Sequence, residues 1–156
     1  MLDKLLLLYG ALKRYWICKI LKSAKVGKNF RMDYNVNIIN TNSDVIIGNN
    51  VFLRGVGKGY QAGMSFPTTI LADVPNSLVR IGDNCRINGA YIHAQHKILI
   101  GINCVIASNV NIIDTNGHEV YSIDRTLGRD GALEIILKDN VWVGLNAIIL
   151  KGTTIG

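Results

Sequence analysis

The sequence predicts an all-β fold: a three-sided parallel β-helix behind one N-terminal α-helix. Three observations predict it. An aliphatic residue returns every sixth position through much of the chain, glycine and asparagine mark the joins between these units, and only residues 1–25 space their apolar side chains as a helix does. A period of six fits neither an α-helix nor a lone amphipathic strand. It fits a short strand followed by a tight turn, and three such sides close a coil of about eighteen residues with its aliphatic positions inside a prism. Stacked coils pair their backbones with the coils above and below. A chain of 156 residues, 49% apolar and 18% charged, is long enough to bury such a core as one domain.

The helix comes first, over residues 1–25. In "MLDKLLLLYGALKRYWICKILKSAK" Leu2, Leu5, Tyr9, Leu12, Trp16 and Ile20 step by three and four residues and form one apolar face. The longest charge-free run, Leu5 to Leu12, falls far short of the roughly 20 residues a membrane span needs. A Lys-Arg pair stands where a signal peptidase site should lie, so the chain is expected to be cytoplasmic. Residues 1–31 hold eight bases against Asp3 alone, a net of +7, whereas residues 32–156 hold nine bases and ten acids. The helix therefore either caps the end of the β-helix or gives residues 1–22 a peripheral association with the inner face of the cytoplasmic membrane. The near-neutral body carries no basic stripe with interleaved aromatics, which argues against nucleic acid as a partner.

The β-helix follows over residues 26–156. Its aliphatic positions are Val26, Met32 and Ile38, then Ile47 and Leu53, Ile81 and Ile87, Ile100, Ile106 and Ile112, and finally Leu137, Val143, Ile149 and Ile155. Glycine follows at 27, 48, 82, 101, 144 and 156, and the corners "GDN", "GIN", "SNV" and "KDN" hold residues that tolerate left-handed backbone angles. Cys85 and Cys104 fall on inward positions, and the odd total of three cysteines has no CxxC spacing, so they read as reduced packing residues. The period lapses twice, at about residues 55–80 and again in a loop insertion at 113–136. The second lapse carries "NIIDTNGHEVYSI", with His118 after Gly117 and four residues beyond Asp114. Interruptions of a solenoid are where it stops being only a scaffold.

The units "IGDNCR", "IGINCV", "IASNVN", "VGLNAI" and "LKGTTIG" resemble those of the hexapeptide-repeat acyltransferases. More narrowly, "NCVIASNVNIIDTNGHEV" followed by "LKDNVWVGLNAIILKGTTIG" is similar to the maltose and galactoside O-acetyltransferase branch, which polysaccharide O-acetyltransferases share. The resemblance covers roughly residues 26–156. It implies a left-handed coil and an enzyme that moves an acetyl group from acetyl-CoA to a sugar hydroxyl in surface-polysaccharide synthesis. It further implies a homotrimer whose extended loop reaches a neighbouring subunit, with acetyl-CoA in the groove between prisms.

A sugar hydroxyl attacks a thioester only if its proton is removed as the bond forms. A neutral imidazole does this, typically for about 10²–10⁴-fold, and histidine's unperturbed pKa of about 6.5 suits it. The resemblance gives that role to His118. Its other ring nitrogen needs an orienting acceptor, for which Asp114, Glu119 and a backbone carbonyl all stand open. The oxyanion donor is by resemblance the backbone N–H of Leu145, which leaves that side chain free to vary. Gly144 and Trp142 of the same "WVGL" motif are expected at the acetyl-CoA groove, although Trp142 could instead pack on the next coil.

His93 takes an inward position in "INGAYIHAQHK", as a core histidine or a groove residue. Asn88 corresponds by position to an acceptor-binding asparagine of the galactoside branch, whose following acidic pair is replaced here by "AQH". No metal is expected. The gamma-class carbonic anhydrases, a related β-helix family, place two close histidines after a distant first. Here the close pair His93 and His96 precedes His118. The resembling enzymes continue past "GTTIG", so the chain reads as truncated at its C-terminal end with an incomplete coenzyme A site. Two other readings stay open: a sugar-nucleotide N-acetyltransferase, whose usual nucleotide-binding βαβ unit is not visible, and a non-catalytic scaffold.

Overall fold

The computed structural model describes residues 2–20 and 23–156. Positions 1, 21 and 22 of the expected N-terminal helix lie outside the described residues, as do the side chains of Leu2 and Ile20 from its expected apolar face.

Helix α1 (Leu2–Tyr15) runs into a π-helical turn, Trp16–Ile20. Strands then come in threes. The first coil is Lys25–Val26 (β1), Arg31–Met32 (β2) and Asn37–Asn40 (β3), and the second is Asp44–Ile47 (β4), Phe52–Arg54 (β5) and Thr69–Ala72 (β6). The third is Leu78–Ile81 (β7), Arg86–Asn88 (β8) and Tyr91–Ala94 (β9), and the fourth is Lys97–Ile100 (β10), Val105–Ile106 (β11) and Asn111–Ile113 (β12). Ile135–Leu137 (β13), Trp142–Val143 (β14) and Ile148–Leu150 (β15) make the fifth, and Thr154–Ile155 (β16) begins a sixth. Every third strand pairs in parallel. The first sheet is β1-β4-β7-β10-β13-β16, the second β2-β5-β8-β11-β14 and the third β3-β6-β9-β12-β15. The chain is a left-handed parallel β-helix.

Register turns the six-residue period into three aliphatic columns. Val26, Ile47, Ile81, Ile100, Leu137 and Ile155 stack in the first sheet. Met32, Leu53, Ile87, Ile106 and Val143 stack in the second. The third holds Ile38, Ile70, Ile92, Ile112 and Ile149. Most of these side chains are buried, each contributing about 1.5–3 kcal/mol of transfer free energy. Cys85 and Cys104 are buried free thiols inside the same prism, as their spacing predicts.

Two expectations need correction. The stretch 55–80 is not one interruption, because β6 and β7 are in register and only residues 55–68 leave the coil. His93 is not an inward residue: Ile92 fills that position at 0% exposure and His93 points outward. The cause lies at Gly89, whose φ of +64° turns the corner in one residue fewer. A Cβ there would stand 2.5 Å from the Met64 side chain and 2.8 Å from the Phe66 carbonyl, so the excursion at 55–68 seals this corner.

The corners themselves are built by asparagine. All nine non-glycine residues with positive φ among the described residues are asparagines, at φ between 53° and 66°. At one corner Asn29, Asn50, Asn84, Asn103 and Asn140 also join side chain to side chain at 3.0–3.1 Å, each of the first four amides donating to the next coil's side-chain carbonyl oxygen. The repeat glycine has a different task from the one its corner position suggests. Gly82 keeps an ordinary negative φ, but a Cβ on it would lie 2.6 Å from the Gly101 carbonyl oxygen of the next coil.

Helix α1 lies against the first coil. Gly10 and Ile17 are buried there, Arg14 donates to the Phe30 carbonyl at 2.7 Å, and the Tyr9 and Tyr34 rings meet edge-on at 6.4 Å.

Candidate functional site

After Ile113 the chain leaves the third sheet, and the point of departure is tightly held. Asp114 is wholly buried. Its carboxylate accepts the backbone N–H groups of Gln95, His96 and Lys97, each at 2.8 Å, and so fixes the turn between β9 and β10. The returning limb comes back to the same residue, with the Leu133 N–H donating to the Asp114 carbonyl at 3.0 Å.

Above this joint a second clasp closes the neck of the loop. Asp130 accepts the Asn116 side-chain amide at 2.6 Å and is ion-paired with Lys151 of the last coil. The Lys151 hydrogen bond, ahead of any other cause, holds the Asp130 carboxyl below its usual range. Lys97 pairs with Glu134 at 2.8 Å on the returning side and lowers that carboxyl too. Gly117, at φ +74°, then reverses the backbone and presents His118 to solvent.

His118 opens onto a groove of about 800 Å³ on the outer face of the third sheet. Asp73, His93, Gln95, Asn116 and Arg129 line it with His118. His93 stands one step along β9 from Ile92, its ring edge-on to Tyr91 at 6.1 Å. Its Nε2 lies 2.9 Å from an Asp73 carboxylate oxygen. With Nε2–H donating there, the neutral ring carries its lone pair on Nδ1. The groove thus holds two imidazoles, one anchored by a carboxylate and one just beyond the clamped neck of a loop.

The other residues singled out from the sequence fall elsewhere. Asn88 is only 7% exposed, and its amide donates to the Ile106 carbonyl at 3.0 Å inside the coil. Trp142 lies on the outer face of the second sheet beside Val105 and is 74% exposed. Gly144 and Leu145 form the turn into β15, where Leu145 is exposed and its N–H has no acceptor among the described residues. None of these four lines the His118 groove. No hydrogen bond joins His118 to Asp114 or Glu119 among the described residues, and both Asp114 oxygens are already engaged. Its two carboxylate oxygens hold a turn because three adjacent N–H groups face them at once, which leaves the orienting role open to another group.

Sequence reasoning missed Asp73, Arg129 and the Asn116–Asp130–Lys151 clasp. Asp73 follows β6 in a stretch read as loop, and only the parallel register of β6 with β9 brings it to His93. Among the described residues no group of three or more His, Cys, Asp or Glu side chains is placed to hold a metal ion.

Comparison with known proteins gives the same direction as the motifs. The chain is 28% identical over 127 residues to the polysialic acid O-acetyltransferase of Neisseria meningitidis, covering 74% of this chain and 59% of that protein. It is 36% identical over 78 residues to the polysialic acid O-acetyltransferase of Escherichia coli O1:K1 / APEC, covering 49% of this chain and 25% of that protein. It is 36% identical over 81 residues to the galactoside O-acetyltransferase of Escherichia coli (strain K12), covering 51% and 39%. These relatives bear out the resemblance to O-acetyltransferases of the hexapeptide-repeat type. The chain spans about three fifths or less of the length of the curated relatives it matches. No protein-family model and no solved structure matches it.

Proposed function

We propose that the chain acts as an O-acetyltransferase, moving the acetyl group of acetyl-CoA to a sugar hydroxyl in surface-polysaccharide synthesis. The observation that carries the reading is His118 itself, exposed on a loop whose neck is clamped by Asp114 and Asp130 and opening onto a groove. A loop histidine with no task needs no such clamp. The similarity to O-acetyltransferases supports the reaction class.

In this reading the imidazole of His118 accepts the hydroxyl proton as the sugar oxygen bonds to the thioester carbonyl carbon. The carbon–sulfur bond then breaks, and the imidazolium returns its proton to the departing coenzyme A thiolate. The oxyanion that forms between the two steps needs a fixed donor, worth about 10²–10³-fold. The unengaged N–H of Leu145 is that donor, with Gly144 and Trp142 beside it along the acetyl-CoA groove. Because Leu145 sits at the corner between the second and third sheets and does not line the His118 groove, the complete site is formed between copies in a homotrimer. The loop tip supports this, since Tyr121 and Ile123 are essentially fully exposed and gain burial only against another surface. His93, held by Asp73, positions the acceptor sugar.

The test is release of free coenzyme A thiol from acetyl-CoA by the purified protein, with and without a panel of sugars. Acceptor-dependent release supports the reading. Purified protein that is trimeric by sedimentation yet releases no thiol with any acceptor overturns it.

A further inference from the structure

The N-terminal helix carries two faces, and the one the β-helix uses is not the one its apolar spacing marks. Gly10 and Ile17 are buried against the first coil, with Leu6, Lys13 and Arg14 half-buried beside them. More than half exposed are Leu5, Leu8, Tyr9, Leu12, Tyr15 and Trp16, although the Tyr9 ring still meets Tyr34 edge-on and Tyr15 borders the cleft to the first coil. These six step by three, four or one along the helix and make a continuous apolar stripe closed by three aromatic rings. A lone exposed leucine is ordinary, but a stripe of this length on a soluble surface marks a contact.

Charge identifies what covers it. Asp3 is the single acid in residues 1–31, against eight bases, while the remainder of the chain is close to neutral. Lys4, Lys28 and Arg31 are exposed at this end of the prism. No helix among the described residues is long and apolar enough to cross a membrane. An apolar stripe of leucines edged by tyrosine and tryptophan, with bases around it, matches the boundary between acyl chains and anionic headgroups. A second copy of this chain would instead bring two sets of those bases together.

We infer that helix α1 and the π-helical turn after it seat the protein on an anionic lipid surface through Leu5, Leu8, Tyr9, Leu12, Tyr15 and Trp16, while their opposite face caps the β-helix. The cap and the membrane contact are therefore one helix used on both sides.

The experiment is flotation of the full chain with vesicles of phosphatidylglycerol and phosphatidylcholine, and with vesicles of phosphatidylcholine alone. Binding is expected to the first, to fall as salt is raised to about 0.5 M, and to be weak to the second. The double substitution Leu8→Glu/Leu12→Glu replaces two exposed side chains, so circular dichroism and thermal melting should match wild type while flotation weakens at least tenfold. Unchanged flotation of that variant, or no binding of wild type to anionic vesicles, overturns the inference. So does wild type that stays off vesicles but loses self-association on the double substitution, which assigns the stripe to a second copy. Flotation requires no acetyl transfer, so this test and that of the enzymatic reading fail independently.

Discussion

Replacing Asp114 by asparagine separates a structural carboxylate from a catalytic one. The carboxylate accepts three backbone N–H groups at 2.8 Å, two on one oxygen and one on the other, in a site with no solvent exposure. Asparagine keeps the shape, and its single oxygen can serve His96 and Lys97. Its amide then faces the Gln95 N–H donor to donor, with no water to relieve either. One charge-assisted bond is lost and two are weakened, a cost of about 2–4 kcal/mol. At about 2–4 °C per kcal/mol for a chain of this size, the melting temperature should fall by roughly 5–15 °C. Melting followed by circular dichroism at neutral pH reads this directly, with Glu119→Gln as a surface control expected to move it by no more than about 2 °C. A melting temperature for Asp114→Asn within about 2 °C of wild type, with acetyl transfer reduced, would refute the structural role and return Asp114 to orienting His118.

Three further outcomes follow from the same geometry. Asn84→Ala loses its bonds to Asn50 and Asn103 and forces alanine into φ near +60°, so urea unfolding should show about 2–3 kcal/mol of destabilisation, against about 1 for Asn84→Gly. Equal losses would mean the backbone angle carries no strain. Burial pushes the Cys85 thiol up to about 12, so iodoacetamide at pH 8 should leave the native Cys85 peptide unlabelled by mass spectrometry, and labelling before unfolding would contradict the packing. Asp130 is depressed in the folded state, so its hold on the loop neck is fully present above the unfolded carboxyl's pKa of about 3.9 and is lost as pH falls through the lower folded value. Pulsed hydrogen exchange over residues 115–133 should therefore loosen only below about pH 4, and loosening already at pH 6 would contradict the clasp.

Much of the architecture was legible because an inward position of a narrow prism accepts little but an aliphatic side chain. Ile81, Ile87, Ile100, Ile106 and Ile112 therefore announce the columns they occupy. Ile92 was misread as its neighbour His93 because one left-handed glycine, Gly89, removes a residue from the count. Strand β6 was hidden behind the excursion at 55–68, which separates Leu53 from Ile70 by far more than one period. At the site, His118 was marked by its break in the repeat. Its supports were not, because Asp114 binds backbone N–H groups that have no side-chain signature, and Asp73 reaches His93 only through register. The apolar face of α1 was visible, but which way it turns is decided by Gly10 and Ile17 fitting the first coil.

The measurement that bears most directly on the account is acetyl transfer from acetyl-CoA to an accepted sugar by His118→Asn, at matched circular dichroism and oligomeric state. Asparagine keeps comparable size and hydrogen bonding but cannot accept a proton at neutral pH. Turnover is expected to fall by about 10²–10⁴-fold with folding unchanged. Turnover within about threefold of wild type would contradict the assignment and leave His118 a solvated loop residue.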